Sequence, residues 1–207
     1  MIVYFTRHGE STANTRRVIS NRNLAHPLTD AGRMQARQLA EKLGPAGISR
    51  IYTSPVPRAL ETATIISQVL EIPLQTSEGL REFDVGILEG RSGLVAWVRF
   101  ADLWSNWFEK RLPEKRIKGG ENFYEAQGRF ISFMDQLSHL YGSSDARILC
   151  VTHGGILKVG LPALLDNLDF DRIRSLPINY AAAIITEYDG VKWRCTHWND
   201  VILAEGR

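Results

Sequence analysis

Ile2-Val3-Tyr4-Phe5-Thr6-Arg7-His8-Gly9-Glu10-Ser11 decides how this chain is read. Four apolar residues in succession read as a short buried strand, and the polar run behind them sets an arginine and an imidazole at the strand's carboxyl end. In an open α/β sheet ligands bind at that edge, where strands hand over to helices. Arginine and histidine alone fit almost any anion site, so the reading depends on what else reaches the same edge.

Outward from this strand, short apolar segments alternate with longer helical patterns. Thr29 caps a helix over about 30–42, with Met34, Leu39 and Leu43 as its apolar stripe and Gly44-Pro45 as its end. Residues 50–53 read as a second strand; Pro55 and Pro57 open a helix reaching about Leu70, with Ala59, Ala63, Ile66 and Leu70 on one face. A short strand follows Pro73, and residues 78–93, with glycines at 79, 86, 90 and 93, form a long structured loop. Helical patterns over 94–110 and 121–141 precede a continuous apolar strand at 147–152, which ends at His153-Gly154-Gly155 and passes into a helix. Residues 181–188 and 191–197 form a hairpin turned by Asp189-Gly190. The alternation predicts an α/β fold over 1–207 as one domain: a three-layer αβα sandwich with a mostly parallel central sheet and helices on both faces. Residues 94–141 are expected as a helical insertion of that domain over the active site.

Composition bounds the partners. With 207 residues, 44% of them hydrophobic and 23% charged, the chain can bury one substantial core. A net charge of +2 is too small for general nucleic-acid binding and leaves a small anion as the expected ligand. No apolar run is long enough to span a membrane, and the first residues lack the pattern of a secretion signal, so the expected location is the cytoplasm. Cys150 and Cys195 lack paired spacing and read as buried free thiols in a reducing compartment. Oligomeric state leaves no mark in the sequence; a homo-oligomer is compatible with it.

Strand-to-helix junctions carry Arg7 and His8, then Arg58, then His153. A parallel sheet brings these carboxyl ends to one edge. Guanidinium forks match phosphate oxygens, and the backbone N–H groups of Gly154 and Gly155 open a helix whose positive end favours the same anion. An imidazole adds a nitrogen nucleophile, so phosphoryl transfer to His8 is chemically accessible, with Arg7, Arg58 and a protonated His153 stabilising the transferring group. Glu82, in the long loop, is the candidate proton donor to the leaving oxygen.

These residues resemble the histidine phosphatase superfamily, also called the phosphoglycerate mutase-like family. The resemblance is carried by Thr6-Arg7-His8-Gly9-Glu10-Ser11 with Asn14, by Pro27-Leu28-Thr29 with Gly32 and Gln35-Ala36, and by Ser54-Pro55-Val56-Pro57-Arg58-Ala59 with Thr62-Ala63. It continues through Leu80, Glu82, Gly86 and Glu89-Gly90 to Thr152-His153-Gly154-Gly155. It implies that His8 is phosphorylated, that Arg7, Arg58 and His153 form the phosphate pocket with Asn14 and the Gly154 backbone, and that Glu82 is the proton donor. It implies a small phosphorylated metabolite as substrate, and neither metal nor cofactor. The match departs at Asn21 and Asn23, where many relatives carry a glycine and an acidic residue.

Within that family, mutases resemble one another in a longer chain and a basic insertion containing Trp-Arg-Arg that holds a second phosphate. Here residues 109–120 are shorter and lead into Gly119-Gly120-Glu121, which resembles the phosphatase branch. A phosphomonoester hydrolase is therefore expected. A cofactor-dependent phosphoglycerate mutase and a catalytically silent phospholigand-binding protein are the alternatives. Lys110, Arg111, Lys115, Arg116 and Lys118 are expected to face water, the other reading being a second anion site. Trp97, Phe100, Trp104 and Trp107 recur at helical spacing; a core stripe is the simpler expectation and an apolar lid over substrate the other. His26, His139 and His197 are isolated and read as structural.

Overall fold

The computed structural model describes residues 1–22 and 24–203. One sheet holds β1 (Ile2–Arg7), β2 (Arg50–Thr53), β3 (Leu74–Thr76), β4 (Arg147–Thr152), β5 (Ala183–Tyr188), β6 (Trp193–Trp198) and β7 (Val201–Ile202), in the order β3-β2-β4-β1-β5-β6-β7. β3, β2, β4 and β1 pair in parallel, and β5, β6 and β7 follow antiparallel, so five of the seven strands run one way. The helices are α1 (Thr12–Thr15), α2 (Asp30–Leu43), α3 (Pro57–Leu70), α4 (Leu94–Phe108), α5 (Phe123–Tyr141), α6 (Gly154–Leu164) and α7 (Phe170–Ser175).

The strands are apolar on both sides because both sides are covered. Val3, Phe5, Tyr52, Ile148 and Cys150 pack with α5 and α6, whereas Tyr4, Ile51, Leu149 and Val151 pack with α2 and α3. Successive residues thus alternate between two cores, the period-2 geometry of a strand inside a three-layer αβα sandwich. Fully burying each such side chain stabilises the fold by about 1.5–3 kcal/mol relative to leaving it in water. Ala36, Ala40, Ala59 and Ala63, all fully buried, let α2 and α3 approach closely. A leucine at Ala40 would overfill that contact at a cost of about 1–3 kcal/mol.

Capping explains the helix starts. Thr29 Oγ1 accepts from Gly32 N at 3.0 Å, and Asn122 with Glu125 forms a reciprocal capping box. Met34 is a correction: it is 57% exposed, because the buried line of α2 runs through Gly32, Ala36, Leu39, Ala40 and Leu43, and Met34 falls two residues off it on the opposite side. The hairpin begins at Ala183 rather than Ala181, whose φ of 47° breaks the strand. α1, α7 and β7 are too short to show a period in sequence. The 78–93 segment is a loop holding two 3₁₀ turns, Glu78–Leu80 and Gly86–Leu88. Of the 94–141 segment, α4 roofs the site while α5 lies on the sheet beside α6. Cys150 and Cys195 are buried and free, and among the described residues no helix is long and apolar enough to cross a membrane.

Candidate active site

β1, β2 and β4 end side by side at Arg7, Thr53 and Thr152, which is what brings the separated motifs together. His8 N donates to Thr152 O at 2.9 Å, extending the ladder one residue beyond the strand and fixing the His8 backbone. Gly9 N donates to Thr62 Oγ1 at 3.1 Å, and that hydroxyl donates to Arg58 O at 2.8 Å, tying the exit of β1 to the first turn of α3. A side chain at Gly9 would meet Gly32 O at 2.5 Å, so only glycine lets the chain pass α2 there.

The hydrogen bonds define the imidazole tautomers. His8 Nδ1 lies 2.7 Å from Gly9 O, which can only accept, so Nδ1 carries the proton and Nε2 keeps its lone pair. Arg58 Nε donates to that Nε2 at 2.8 Å, and Arg58 Nη2 donates to His153 Nδ1 at 3.1 Å. His153 Nε2 then carries the proton and donates to Ser54 Oγ at 2.7 Å. The rings stand 5.1 Å apart, and both histidines are held well below the ordinary imidazole value, first by burial and then by the neighbouring guanidiniums. Arg58 is itself lowered to about 10 by burial and stays charged at neutral pH.

Beside His8, two buried guanidinium nitrogens, Arg7 Nε and Arg58 Nη1, have no partner among the described residues. Orphaned guanidinium donors are costly unless an anion completes them. Arg7 is braced by Nη1 donating to Ile178 O at 3.2 Å and by its guanidinium lying 3.9 Å above the Tyr180 ring. Gly154 and Gly155 begin α6 at the same place, and its 11-residue dipole adds to the positive field. Asn14 Oδ1 accepts from Ser11 N and Ser11 Oγ at 3.1 and 2.8 Å, leaving its Nδ2 donors for the cavity that it lines.

Glu82 lies across this cavity, 8% exposed, with Oε1 accepting from Phe83 N at 3.1 Å and Oε2 from Gly155 N at 3.0 Å. Burial raises its pKa above the ordinary carboxylate value; the Gly155 N–H and the charge of Arg58 oppose the rise without cancelling it. A side chain at Gly155 would come within 2.6 Å of Glu82 Oε1 and 2.5 Å of Phe83 Cε1, so that glycine makes room for the carboxyl group.

Arg7, His8, Asn14, Arg58, Glu82 and Gly154 share a cavity of about 630 Å³. His153 is fully buried behind the Arg58 guanidinium and touches the cavity through it. The aromatic series divides: Trp107 is core, whereas Trp97, Phe100 and Trp104 line the cavity, correcting a uniform core stripe. The basic stretch stays outside, with Lys110 paired to Asp102, Arg111 to Asp171 and Arg116 to Glu125. His26, His139 and His197 do not line the cavity, and among the described residues no three His, Cys, Asp or Glu side chains are grouped to hold a metal.

Ser54, Thr62, Asn21 and Ser20 are contributors that sequence reasoning left without a role. Asn21 Nδ2 donates to Phe83 O at 2.8 Å and its N–H donates to Glu89 Oε2 at 2.8 Å, joining its loop to the Glu82 loop. Ser20 Oγ is buried at the cavity wall without a partner among the described residues. Asn23 lies outside the described residues.

The family model of the histidine phosphatase superfamily (branch 1) matches residues 3–201. A protein of Proteus mirabilis (strain HI4320) named "Probable phosphoglycerate mutase GpmB" is 31% identical over 202 residues, covering 95% of this chain and 89% of that one. Among solved structures, Bacillus stearothermophilus YhfR superposes with a TM-score of 0.82 at 30% identity, covering 97% of each chain. The alpha-ribazole phosphatase of Shigella flexneri shares the fold with a TM-score of 0.80 at 23% identity over 100% of both chains.

Proposed function

The chain belongs to the histidine phosphatase superfamily, and from that premise we propose that it is a phosphomonoester hydrolase working through a phosphohistidine on His8. One observation carries the reading: the unprotonated His8 Nε2, which accepts from Arg58 Nε at 2.8 Å until phosphate draws that guanidinium away, stands beside two orphaned guanidinium donors, Arg7 Nε and Arg58 Nη1. A phosphate completing those donors lies next to the nitrogen that attacks it. As the N–P bond forms, the ester P–O bond breaks, and protonated Glu82 delivers its proton to the leaving oxygen. Arg7, Arg58, Asn14 Nδ2 and the α6 N-terminus neutralise the equatorial oxygens, and His153, protonated as the anion arrives, adds charge from behind Arg58. Water then attacks phosphorus, Glu82 carboxylate takes its proton, the N–P bond breaks, and inorganic phosphate leaves.

Hydrolysis is favoured over mutase chemistry by the charge of the cavity. Among the described residues lining it, the cations are Arg7, Arg58 and Lys158. Lys158 Nζ already donates to the carbonyls of Ile173 at 2.6 Å, Arg174 at 2.9 Å and Leu176. A bisphosphate thus finds one anion cradle, not two. The mutase name of the Proteus relative sets the competing outcome. The test is purified protein with an aryl phosphate and, separately, with 3-phosphoglycerate plus its bisphosphate. Phosphate release that vanishes in His8→Ala is expected. Isomerisation of 3-phosphoglycerate without release would assign a mutase, and binding without either reaction a silent phospholigand protein. The two buried free thiols fit a reducing cytoplasm as the place of action.

A further inference from the structure

The cavity is sharply two-sided. One end is the anion cradle of Arg7, His8 and Arg58; the other is a wall of Phe100 and Trp104, flanked by Trp97 and backed by the buried Phe83. Phe100 and Trp104 lie 20° from parallel at 6.4 Å, so these two rings have similarly oriented planes, and the buried Phe83 backs them at 14° from Phe100 and 33° from Trp104. They are braced from behind: Trp107 meets Phe83 edge-on at 4.9 Å and Phe108 packs on Trp104 at 4.3 Å. Trp97 Nε1 donates to Arg17 O at 2.8 Å, which fixes the flanking ring. A wall held this way loses little side-chain freedom when a ligand docks on it.

From this geometry we propose that the substrate's organic half is a planar apolar group of about naphthyl size, seated on Phe100 and Trp104 while its phosphate occupies the Arg7–Arg58 cradle. The proposal rests on the hydrolase reading above and names the substrate class that reading leaves open. A cavity of about 630 Å³ is far larger than a phosphoglycerate needs and falls within the roughly 300–1,000 Å³ of pockets that take drug-sized ligands. A polyhydroxyl group would lose water against ring faces that offer it no partner. A second anionic group would meet Glu109, a carboxylate at the rim whose Oε2 already accepts from Ser105 Oγ at 2.7 Å. Flat apolar groups lose neither hydrogen bonds nor charge pairing there, and they stack on aromatic faces.

The experiment compares two primary alkyl esters, 2-(1-naphthyl)ethyl phosphate and glycerol 1-phosphate, so that the leaving alkoxides are matched. Phosphate release gives kcat/KM for the wild type, Trp104→Leu and Phe100→Leu; calorimetry gives the affinity of His8→Ala protein for the same two esters. The wild type is expected to favour the naphthyl ester by at least about tenfold, the scale of discrimination that apolar pockets reach. Each leucine variant, which keeps apolar bulk but removes a flat face, should lower that ratio severalfold. Release from both esters at equal kcat/KM, or equal losses on both esters in the variants, overturns the proposal and leaves the hydrolase reading standing. Failure to release phosphate from either ester overturns the hydrolase reading, and the affinity ratio of the His8→Ala protein then decides the proposal by itself: tighter naphthyl binding supports it and equal affinity refutes it.

Discussion

Replacing Glu82 by glutamine, read through kcat/KM, separates proton donation from the later water attack that the same carboxylate assists. Glutamine fills the same volume, and its carbonyl can still accept one of the two N–H groups, from Phe83 or Gly155, that the carboxylate accepts now. The other N–H then faces an amide nitrogen and loses its partner, a cost of about 0.5–1.5 kcal/mol that leaves the fold intact. General acid assistance contributes roughly 10²–10⁴ in rate. On a primary alkyl phosphate, whose alkoxide cannot leave unprotonated, kcat/KM should therefore fall by about 10²–10⁴. On 4-nitrophenyl phosphate, whose phenolate leaves without a proton, kcat/KM, which ends at phosphorylation of His8 and so excludes the later water attack that the Glu82 carboxylate assists, should fall less than about tenfold. The pH profile supplies a second readout. Donation requires the protonated carboxyl, and burial raises the Glu82 pKa, so the active form persists above the ordinary carboxylate range and is lost as pH rises through the raised value. That falling limb should be present for the wild type on the alkyl ester and absent for Glu82→Gln. Steady-state kinetics on the two esters from acid to alkaline pH is the assay. Equal losses on both esters would refute the assignment of Glu82 as proton donor, as would a falling limb retained by the variant.

Other perturbations test neighbouring links. His8→Ala should abolish turnover, and incubation with a ³²P-labelled ester should leave acid-labile label on the wild type but none on the variant. Ser54→Ala removes the acceptor of His153 Nε2–H; kcat/KM should drop by about tenfold on both esters, with the ring ¹⁵N shifts of His153 reporting a mixture of tautomers in place of one. Gly155→Ala places a methyl group against Glu82 and Phe83, so it should reproduce the leaving-group pattern of Glu82→Gln, and equal losses on alkyl and nitrophenyl esters would show that the displacement reaches beyond the carboxyl. Stability carries its own signature. Because the folded-state pKa of Glu82 is raised, its penalty is absent at pH below the unfolded value and grows as pH climbs through the raised one. The melting temperature of Glu82→Gln relative to wild type should accordingly rise between about pH 4 and pH 8, by about 2–4 °C for each kcal/mol of penalty removed.

What could be read from sequence was set by the range over which each signal acts. β1 and β4 are visible as apolar runs because both faces of each strand are buried, and the ligand edge follows from the polar residues at their ends. Arg7, His8, Arg58, Glu82 and His153 are therefore legible as candidates in the sequence alone. Ser54 and Asn21 were not given roles, because those roles depend on partners 99 and 62 residues away that no local pattern announces. The α4 aromatics show a different limit. Helical period identifies a shared face, but a face looks the same in sequence whether it meets packed side chains, as at Trp107, or a cavity, as at Trp104. Met34 failed because a single methionine among alanines and glycine looked like the stripe, when the stripe was built from the small residues that let α3 approach.

On the hydrolase reading proposed above, the protonation states of the site account for both the capture of phosphate and the attack on it. Burial, reinforced by the Arg58 and Arg7 guanidiniums, holds both imidazoles well below the ordinary value, so His8 presents an unprotonated Nε2 rather than an N–H. An incoming phosphate reverses the field felt by His153 more usefully than that felt by His8. Its oxygens compete for Arg58, and when Nη2 turns from His153 Nδ1 to the phosphate, that nitrogen is freed beside a new negative charge. Ser54 Oγ can keep accepting from Nε2 in either state, so a proton taken up by His153 settles on Nδ1, the side facing the substrate. His8 has no such exchange open to it, because its Nδ1 proton is fixed on Gly9 O and its Nε2 is the atom that bonds to phosphorus. On that reading the two histidines diverge in function through one hydrogen-bond acceptor each: the Gly9 carbonyl, which keeps His8 a nucleophile, and the Ser54 hydroxyl, which lets His153 become a cation.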